Sequence, residues 1–276
     1  MCAEGAARSR LRAQSIGARI VSGIALALIT LAAAWLGGRA LAALLLAGVL
    51  VALFEFLRMA AQAGHPVPTL QGLVAGAVVV VLGATHGTAN MGVVFLVIGI
   101  WMIGASLRPP IEGRLLGLAL ALLGVVYIAG LGVHLLWLRE LDRGLGLLLL
   151  VLLCTWAADT FAFFTGIRWG KRKLAPQVSP GKSVEGFLGG LAGSVLVAGG
   201  AAPFVTGLTL AQALLAGLVI GLVAPLGDLF ESLVKRNLRA KDASHVIPGH
   251  GGVLDRIDSL LLAAPVAYYL FRFLLT

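Results

Sequence analysis

An all-α polytopic integral membrane bundle of about nine transmembrane helices, N-terminus in the cytoplasm, is the fold class this sequence predicts. The first observation behind it is composition. Of 276 residues, 59% are hydrophobic and 12% charged, and the mean hydropathy is +1.00. A soluble domain carries about 25% charged residues. The second is length: apolar runs of roughly 18 residues or more recur, each long enough to cross a bilayer as a helix. The third is periodicity. Alternation with a period of two, the mark of a β-barrel, is absent.

The spans are expected at about 20–36, 40–57, 69–85, 90–107, 115–136, 145–166, 186–205, 209–229 and 258–275. The first follows Arg8, Arg10 and Arg12. No small-residue cleavage site follows it, so it reads as a retained span and not a signal peptide. The third begins after His65-Pro66-Val67-Pro68 and contains four consecutive valines, Val78 to Val81; the fourth ends at Pro109 and Pro110. The seventh carries Gly186-x-x-x-Gly190 and Gly189-x-x-x-Gly193, and the eighth Gly217-x-x-x-Gly221. Small residues at that spacing let helix backbones approach closely in lipid. Cys2 and Cys154 are too far apart in sequence to suggest a disulfide framework or a metal cluster, and Cys154 reads as a small core residue.

The formal net charge is +9. In a soluble protein that would suggest nucleic acid. Here Lys and Arg facing anionic headgroups account for it, and no nucleic-acid partner is expected. Nine spans put Arg39, Arg139, Arg143 and Arg272 on one side and the other 17 of the 21 Lys and Arg residues on the opposite side. The positive-inside rule then places the N-terminus and both polar loops, 167–185 and 230–257, in the cytoplasm. The expected location is the cell (inner) membrane, multi-pass, with the site facing the cytoplasm. Seven of the 12 acidic residues lie in the last 118 residues. Residues 1–145 therefore read as a transmembrane scaffold, and 146–276 as the catalytic region carrying both loops.

The chemistry-bearing residues gather there. Asp228, Glu231, Ser232 and Lys235 recur at i, i+3, i+4 and i+7, one face of a helix running from the membrane edge into the loop. Asp255 and Asp258 share a face at the start of the last span, with Arg256 beside them. Ionisable groups at membrane depth are costly and by default functional. Two helix ends presenting carboxylates suit a hard divalent cation, usually Mg2+ with substrate phosphates completing its shell; helix-end ion pairs, such as Asp255 with Lys235, are the alternative. In Pro248-Gly-His250-Gly251-Gly252 the glycines allow backbone N–H groups to approach an anion, and His250 is a candidate phosphate contact or proton donor; an ordinary turn is the alternative. His245 and His250 lack the further ligands a zinc site needs. Gly181-Lys182-Ser183 is no P-loop, because Pro176 stands where a glycine is required and no strand is expected before it. Lys182 with the hydroxyls of Ser179 and Ser183, ahead of a helix start, can still hold phosphate, though Ser183 is equally placed to act only as an N-cap. Asp159, near the cytoplasmic end of its span, needs a partner or water. Glu55 is an isolated acid in the second span, expected to pair with a neighbouring helix.

The run Ser232-x-Val234-Lys235-Arg236-x4-Lys241-Asp242-x-Ser244-x2-Ile247-Pro248-x-His250-Gly251-Gly252-Val253-x-Asp255-Arg256-Ile257-Asp258 resembles the motif of the phosphatidate cytidylyltransferases, or CDP-diacylglycerol synthases. Gly227-Asp228-Leu229-Phe230-Glu231-Ser232, Ser179-Pro180-x-Lys182-Ser183-x-Glu185-Gly186 and Asp159 resemble it too. The likeness covers about Asp159 to Ser259; the first 150 residues share only apolar spans and an arginine near the first. Gly181 departs from the pattern, where a lysine or another polar residue is expected. The resemblance implies transfer of CMP from CTP to phosphatidate, giving CDP-diacylglycerol and pyrophosphate. It implies Asp228 and Asp255 as ligands of Mg2+, with a second, monovalent cation beside it; Asp258 and Asp242 are added to that set. Lys182, Lys235, Arg236, Lys241 and Arg256 are candidates for the phosphates of CTP and phosphatidate, and a homodimer is suggested. A CTP-dependent lipid-alcohol kinase and an archaeol-type cytidylyltransferase are the nearer rivals. An ion-coupled transporter is the rival from another class, disfavoured because the charges gather in loops and no inverted repeat is visible.

Overall fold

A computed structural model of the chain describes residues 21–107, 111–205, 207–240, 242–244 and 251–275. Among them the helices, in order, are α1 Val21–Leu36, α2 Gly38–Gln62, α3 Thr69–His86, α4 Met91–Ser106, α5 Arg114–Gly124, α6 His134–Glu140, α7 Gly144–Trp169, α8 Val184–Val205, α9 Leu210–Asn237 and α10 Leu254–Leu274. A π-helical turn, Val125–Gly130, joins α5 to α6 in one 27-residue rod, Arg114–Glu140. Seven rods are long and apolar enough to span a bilayer; α1 and α4 are shorter apolar helices. The chain is thus an all-α, multi-pass membrane protein. Pro109 and Pro110, which were expected to close the fourth span, lie outside the described residues.

The apolar segments become helices because lipid offers no partner to a free backbone N–H or C=O. Their packing follows the small residues. Gly186 and Gly190 of α8 face the backbone of Ala162 and Ala158 on α7, and Gly193 faces Phe161. Gly217 and Gly221 of α9 press on Ser194 and its neighbours in α8, where the Ser194 hydroxyl donates to the Gly217 carbonyl at 2.8 Å. Cys154 is fully buried beside them. The three contacts α7–α8, α8–α9 and α9–α10 build the C-terminal half as a layered array of long helices, with α2, α3 and the π-helical turn packed together in the N-terminal half.

The helices run past the span ends that hydropathy suggests. Helix α9 continues eight residues beyond 229, to Asn237, and α10 begins at Leu254, four before 258. Hydropathy stops at the first charges, whereas the backbone continues: Glu231 and Lys235 pair at i, i+4 along α9. Thr209 and Gln212 form a reciprocal capping box at the other end of α9. The stretch expected as loop 167–185 holds a two-stranded antiparallel hairpin, β1 Lys173–Ala175 and β2 Ser179–Ser183, with Lys173 opposite Ser183 and Ala175 opposite Ser179. Glu185, in the first turn of α8, ties the hairpin's start by accepting the N–H groups of Lys171 and Arg172 at 3.0 and 3.1 Å.

Candidate active site

Gly227 brings the two acidic helix ends together. A Cβ at Gly227 would lie 2.9 Å from the Ser259 Cα, against backbone that cannot yield, so only glycine lets α9 and α10 meet there. Tyr127, from the π-helical turn, closes the same crossing: its hydroxyl donates to the Gly227 carbonyl at 3.5 Å and its ring meets Phe230 edge-on at 4.8 Å. Asp228, one residue after the contact, Glu231, one turn further on, and Asp258 from α10 then converge. Ligand oxygens of all three lie within 4.8 Å of one another.

Two lysines balance this cluster. The Lys182 Nζ, reaching in from β2, sits 2.6 Å from Asp228 Oδ2. Lys235 lies between Glu231 and Asp255, pairing with the first and reaching Asp255 Oδ1 at 2.7 Å. Ser232 donates to Asp228 Oδ1 at 3.4 Å, and Asp258 Oδ1 accepts the Ser259 N–H at 2.7 Å. These groups line a cavity of about 1120 Å³ between α7, α8, α9 and α10, with Asp159, Asp242 and Arg256 on its walls. Phe163, Ile167 and Phe187 make an apolar side, and Phe163 and Ile167 are also exposed on the outer face of α7.

The described lining holds six carboxylates (Asp159, Asp228, Glu231, Asp242, Asp255 and Asp258) and three cations (Lys182, Lys235 and Arg256). A polyanionic ligand entering such a cavity needs added positive charge. Oxygen donors clustered at this spacing fit a hard divalent cation. Glu231 is 1% exposed and takes its counter-charge from Lys235.

Most of the residues nominated by sequence meet here: Asp228, Asp255, Asp258, Lys182, Lys235, Arg256, Asp242, Ser183 and Gly251 all line the cavity. Asp255 stands apart from the three-carboxylate cluster, engaged by Lys235 and by the backbone N–H groups of Gly252 at 2.8 Å and Ala243 at 3.2 Å. The Gly252 N–H is thus taken by a carboxylate of the protein. Gly251 has φ +78°, a conformation suited to glycine, and a Cβ there would lie 2.8 Å from Asp255 Oδ2. Ser183 is the N-cap of α8, its hydroxyl accepting the Gly186 N–H at 3.1 Å. Ser179 starts β2 and is outside the lining. Arg236 is also outside it: its Nε donates to the Val178 carbonyl at 3.4 Å, holding the hairpin to α9. Lys241 and His250 lie outside the described residues. Two acids take larger parts than sequence reasoning assigned. Glu231 had been placed on the right face but not among the ligands. Glu55, left with an unnamed partner, accepts three hydrogen bonds from the polypeptide just before α10 and from its first residue; an acid within an apolar span was the signal.

Comparison with known proteins gives the family. The model of the cytidylyltransferase family matches residues 17–274. A phosphatidate cytidylyltransferase of Haemophilus influenzae is 49% identical over 138 residues, covering 48% of each chain. One from Thermotoga maritima is 39% identical over 48% of this chain and 52% of its own. The chain therefore spans about half the length of these relatives. A phosphatidate cytidylyltransferase of Mycobacterium bovis is 31% identical over 92% of this chain and 88% of its own length. With residues 17–274 matched, nearly the whole chain, this protein belongs to the cytidylyltransferase family.

Proposed function

We propose that the protein is a Mg2+-dependent phosphatidate cytidylyltransferase, converting CTP and phosphatidate into CDP-diacylglycerol and pyrophosphate. The observation that carries this reading is the cluster of Asp228, Glu231 and Asp258, flanked by Lys182 and Lys235, in a cavity with one apolar side. Its volume of about 1120 Å³ exceeds that of an ordinary small-molecule pocket, roughly 300–1000 Å³. That leaves room for a nucleotide and a lipid headgroup together.

Asp228, Glu231 and Asp258 would hold the divalent cation, with Asp255 and Asp242 lining the same cavity. Bound there, the cation would neutralise phosphate charge and supply Lewis-acid polarisation of a phosphoryl group. The residues themselves perform the positioning. Arg256 and Lys182 receive phosphate oxygens; Lys182 is free to do so once another cation faces Asp228. Lys235 keeps Glu231 and Asp255 at fixed separation. The phosphatidate oxygen, already ionised near neutral pH, forms the new bond to the α-phosphorus of CTP. The bond from that phosphorus to the β-phosphate oxygen breaks, and pyrophosphate leaves. No strong base is required, so the rate depends on alignment and charge. Phe163 and Ile167 offer the acyl chains a path from the cavity to lipid. A monovalent second cation and a homodimer complete the reading on family resemblance.

In the test, purified protein in detergent receives phosphatidate, CTP and Mg2+, with EDTA as control. CDP-diacylglycerol should form only with metal, and no metal-dependent product would overturn the reading.

We place the site in the cytoplasm on the charge split, and the bundle in an inner membrane because outer membranes carry barrels. A cysteine at Asp142, exposed between α6 and α7, should react with an impermeant thiol reagent from outside the cell; one at Lys171 should not. Labelling in the opposite sense would reverse the topology. Gly207 is a poor labelling position, since its φ is +63° and it abuts Arg143.

A further inference from the structure

We infer that Glu55, a carboxylate of the N-terminal scaffold, is a positioning residue for the catalytic helix α10. This rests on the reading above for what α10 does, but not for the contacts themselves. Glu55 is 1% exposed, seven residues before the end of α2. Its Oε1 accepts the Ser244 hydroxyl at 2.5 Å and the Val253 N–H at 3.1 Å; its Oε2 accepts the Leu254 N–H at 2.9 Å. Ser244 precedes residues 245–250, and Val253 and Leu254 follow them. One side chain therefore ties the polypeptide on both sides of that stretch to α2. Asp255 does the same from the other direction, accepting from Ala243 before it and Gly252 after it.

The two carboxylates form a paired clamp. Glu55 fixes where α10 starts, and Asp255 and Asp258 are the first and fourth residues beyond Leu254. Gly252 is shaped by the same demand. A Cβ there would lie 2.7–2.9 Å from the Glu55 carboxyl atoms, so glycine is needed for Glu55 to reach the backbone. Negative charge at this point also suits the positive end of α10.

The chemistry requires a carboxylate and not an amide. Both oxygens of Glu55 accept, and between them they serve three donors. Glutamine keeps the shape but presents an NH2 to at least one of those donors. The expected consequence is displacement of Asp255 and Asp258, with α2 otherwise undisturbed. Loss of a residue that orients metal ligands typically costs about 10–100-fold in activity or metal affinity.

The experiment uses the full-length protein in detergent. Glu55→Gln, Glu55→Asp and Ser244→Ala are compared with wild type by two independent readouts. The first is amide hydrogen exchange without substrate or metal. Glu55→Gln should speed exchange at residues 243–244 and 252–255, leaving α3 and α8 unchanged. The second is kinetics. Glu55→Gln should lower kcat about 10–100-fold and raise the Mg2+ concentration for half-activation, with KM for phosphatidate little changed. Ser244→Ala, which removes one of the three bonds without opposing any donor, should shift both readouts in the same direction by less. Glu55→Asp, retaining the carboxylate, should recover part of the loss. Wild-type exchange at 243–244 and 252–255 in Glu55→Gln would overturn the clamp. So would a fall in thermal stability with kcat and Mg2+ dependence unchanged, which is what a merely structural acid would give. If Glu55→Gln does not fold, unaltered exchange at those residues in Ser244→Ala overturns it. A failure of the function proposed above would show instead as an inactive wild type, leaving the exchange experiment able to decide.

Discussion

Asp228→Asn lowers turnover by about 1000-fold or more while leaving a folded, extractable protein. Asp228 is the one member of the carboxylate cluster that is partly open to the cavity, and it is held by Ser232 at 3.4 Å and Lys182 at 2.6 Å. Asparagine preserves its shape and most of its packing, so the helix contact at Gly227 should persist. The change removes one charged oxygen donor from the proposed cation site and leaves Lys182 without its counter-charge. Stabilisation of transition-state charge by a metal is worth several kcal/mol, and each 1.36 kcal/mol is about tenfold in rate. Initial rates of CDP-diacylglycerol formation, normalised to folded protein, give the measurement. Asp142→Asn, exposed between α6 and α7 and outside the cavity lining, serves as the control and should leave the rate unchanged. Activity within tenfold of wild type in Asp228→Asn would remove that residue from the proposed metal site.

Lys235→Met carries the largest expected cost in stability. Lys235 is the cation shared by Glu231 and Asp255, whose side chains are 1% and 9% exposed. Two carboxylates at that depth would be left facing each other without compensation. Removing one partner of a buried ionic group typically costs about 3–5 kcal/mol, because the remaining charge is desolvated and unpaired. Methionine keeps the length of the aliphatic stem, so the loss reports charge more than volume. Unfolding titrations in mixed micelles should show it, and Lys235→Met/Glu231→Gln should recover part of the loss by removing one orphaned charge. A change below about 1 kcal/mol would mean that the triad is weakly coupled. The recovery in the double variant separates this from simple loss of packing.

What could be read in the sequence follows from which forces are local. The long apolar rods were legible because the bilayer imposes their length and internal hydrogen bonding. The α7–α8 and α8–α9 seams were legible in Gly186, Gly190, Gly217 and Gly221, since close approach needs small residues wherever the partner lies. The ends of α9 and α10 were not: hydropathy ends at Asp228, but the helix runs on to Asn237. The hairpin at 173–183 was hidden by strands of three and five residues, too short to show a period. The π-helical turn that places Tyr127 has no sequence signature at all.

The site was legible as a set of faces and as one contact, the Asp255–Lys235 ion pair that was the alternative to metal ligation by Asp255. Helical spacing put Asp228, Glu231 and Lys235 on one face and Asp255 and Asp258 on another. Which acid meets which depends on the crossing at Gly227, a tertiary fact. That crossing brings Asp258 to Asp228 and Glu231, and turns Asp255 toward Lys235. The same applies to Glu55. A buried acid in an apolar run announces that it needs a partner, but Ser244 is 189 residues further along the chain. Gly251 and Gly252 were read as room for an anion; here they make room for the carboxylates of Asp255 and Glu55.

The central claim is that the acidic crossing of α9 and α10 transfers a cytidylyl group to a lipid phosphate. The most direct measurement follows the label from CTP carrying radioactivity in either its α- or its γ-phosphate, using purified protein, phosphatidate and Mg2+. The account predicts that α-label enters the lipid product and γ-label leaves in pyrophosphate, with both transfers lost in Asp228→Asn. Entry of γ-label into lipid would show a kinase acting at this site, and would contradict the account.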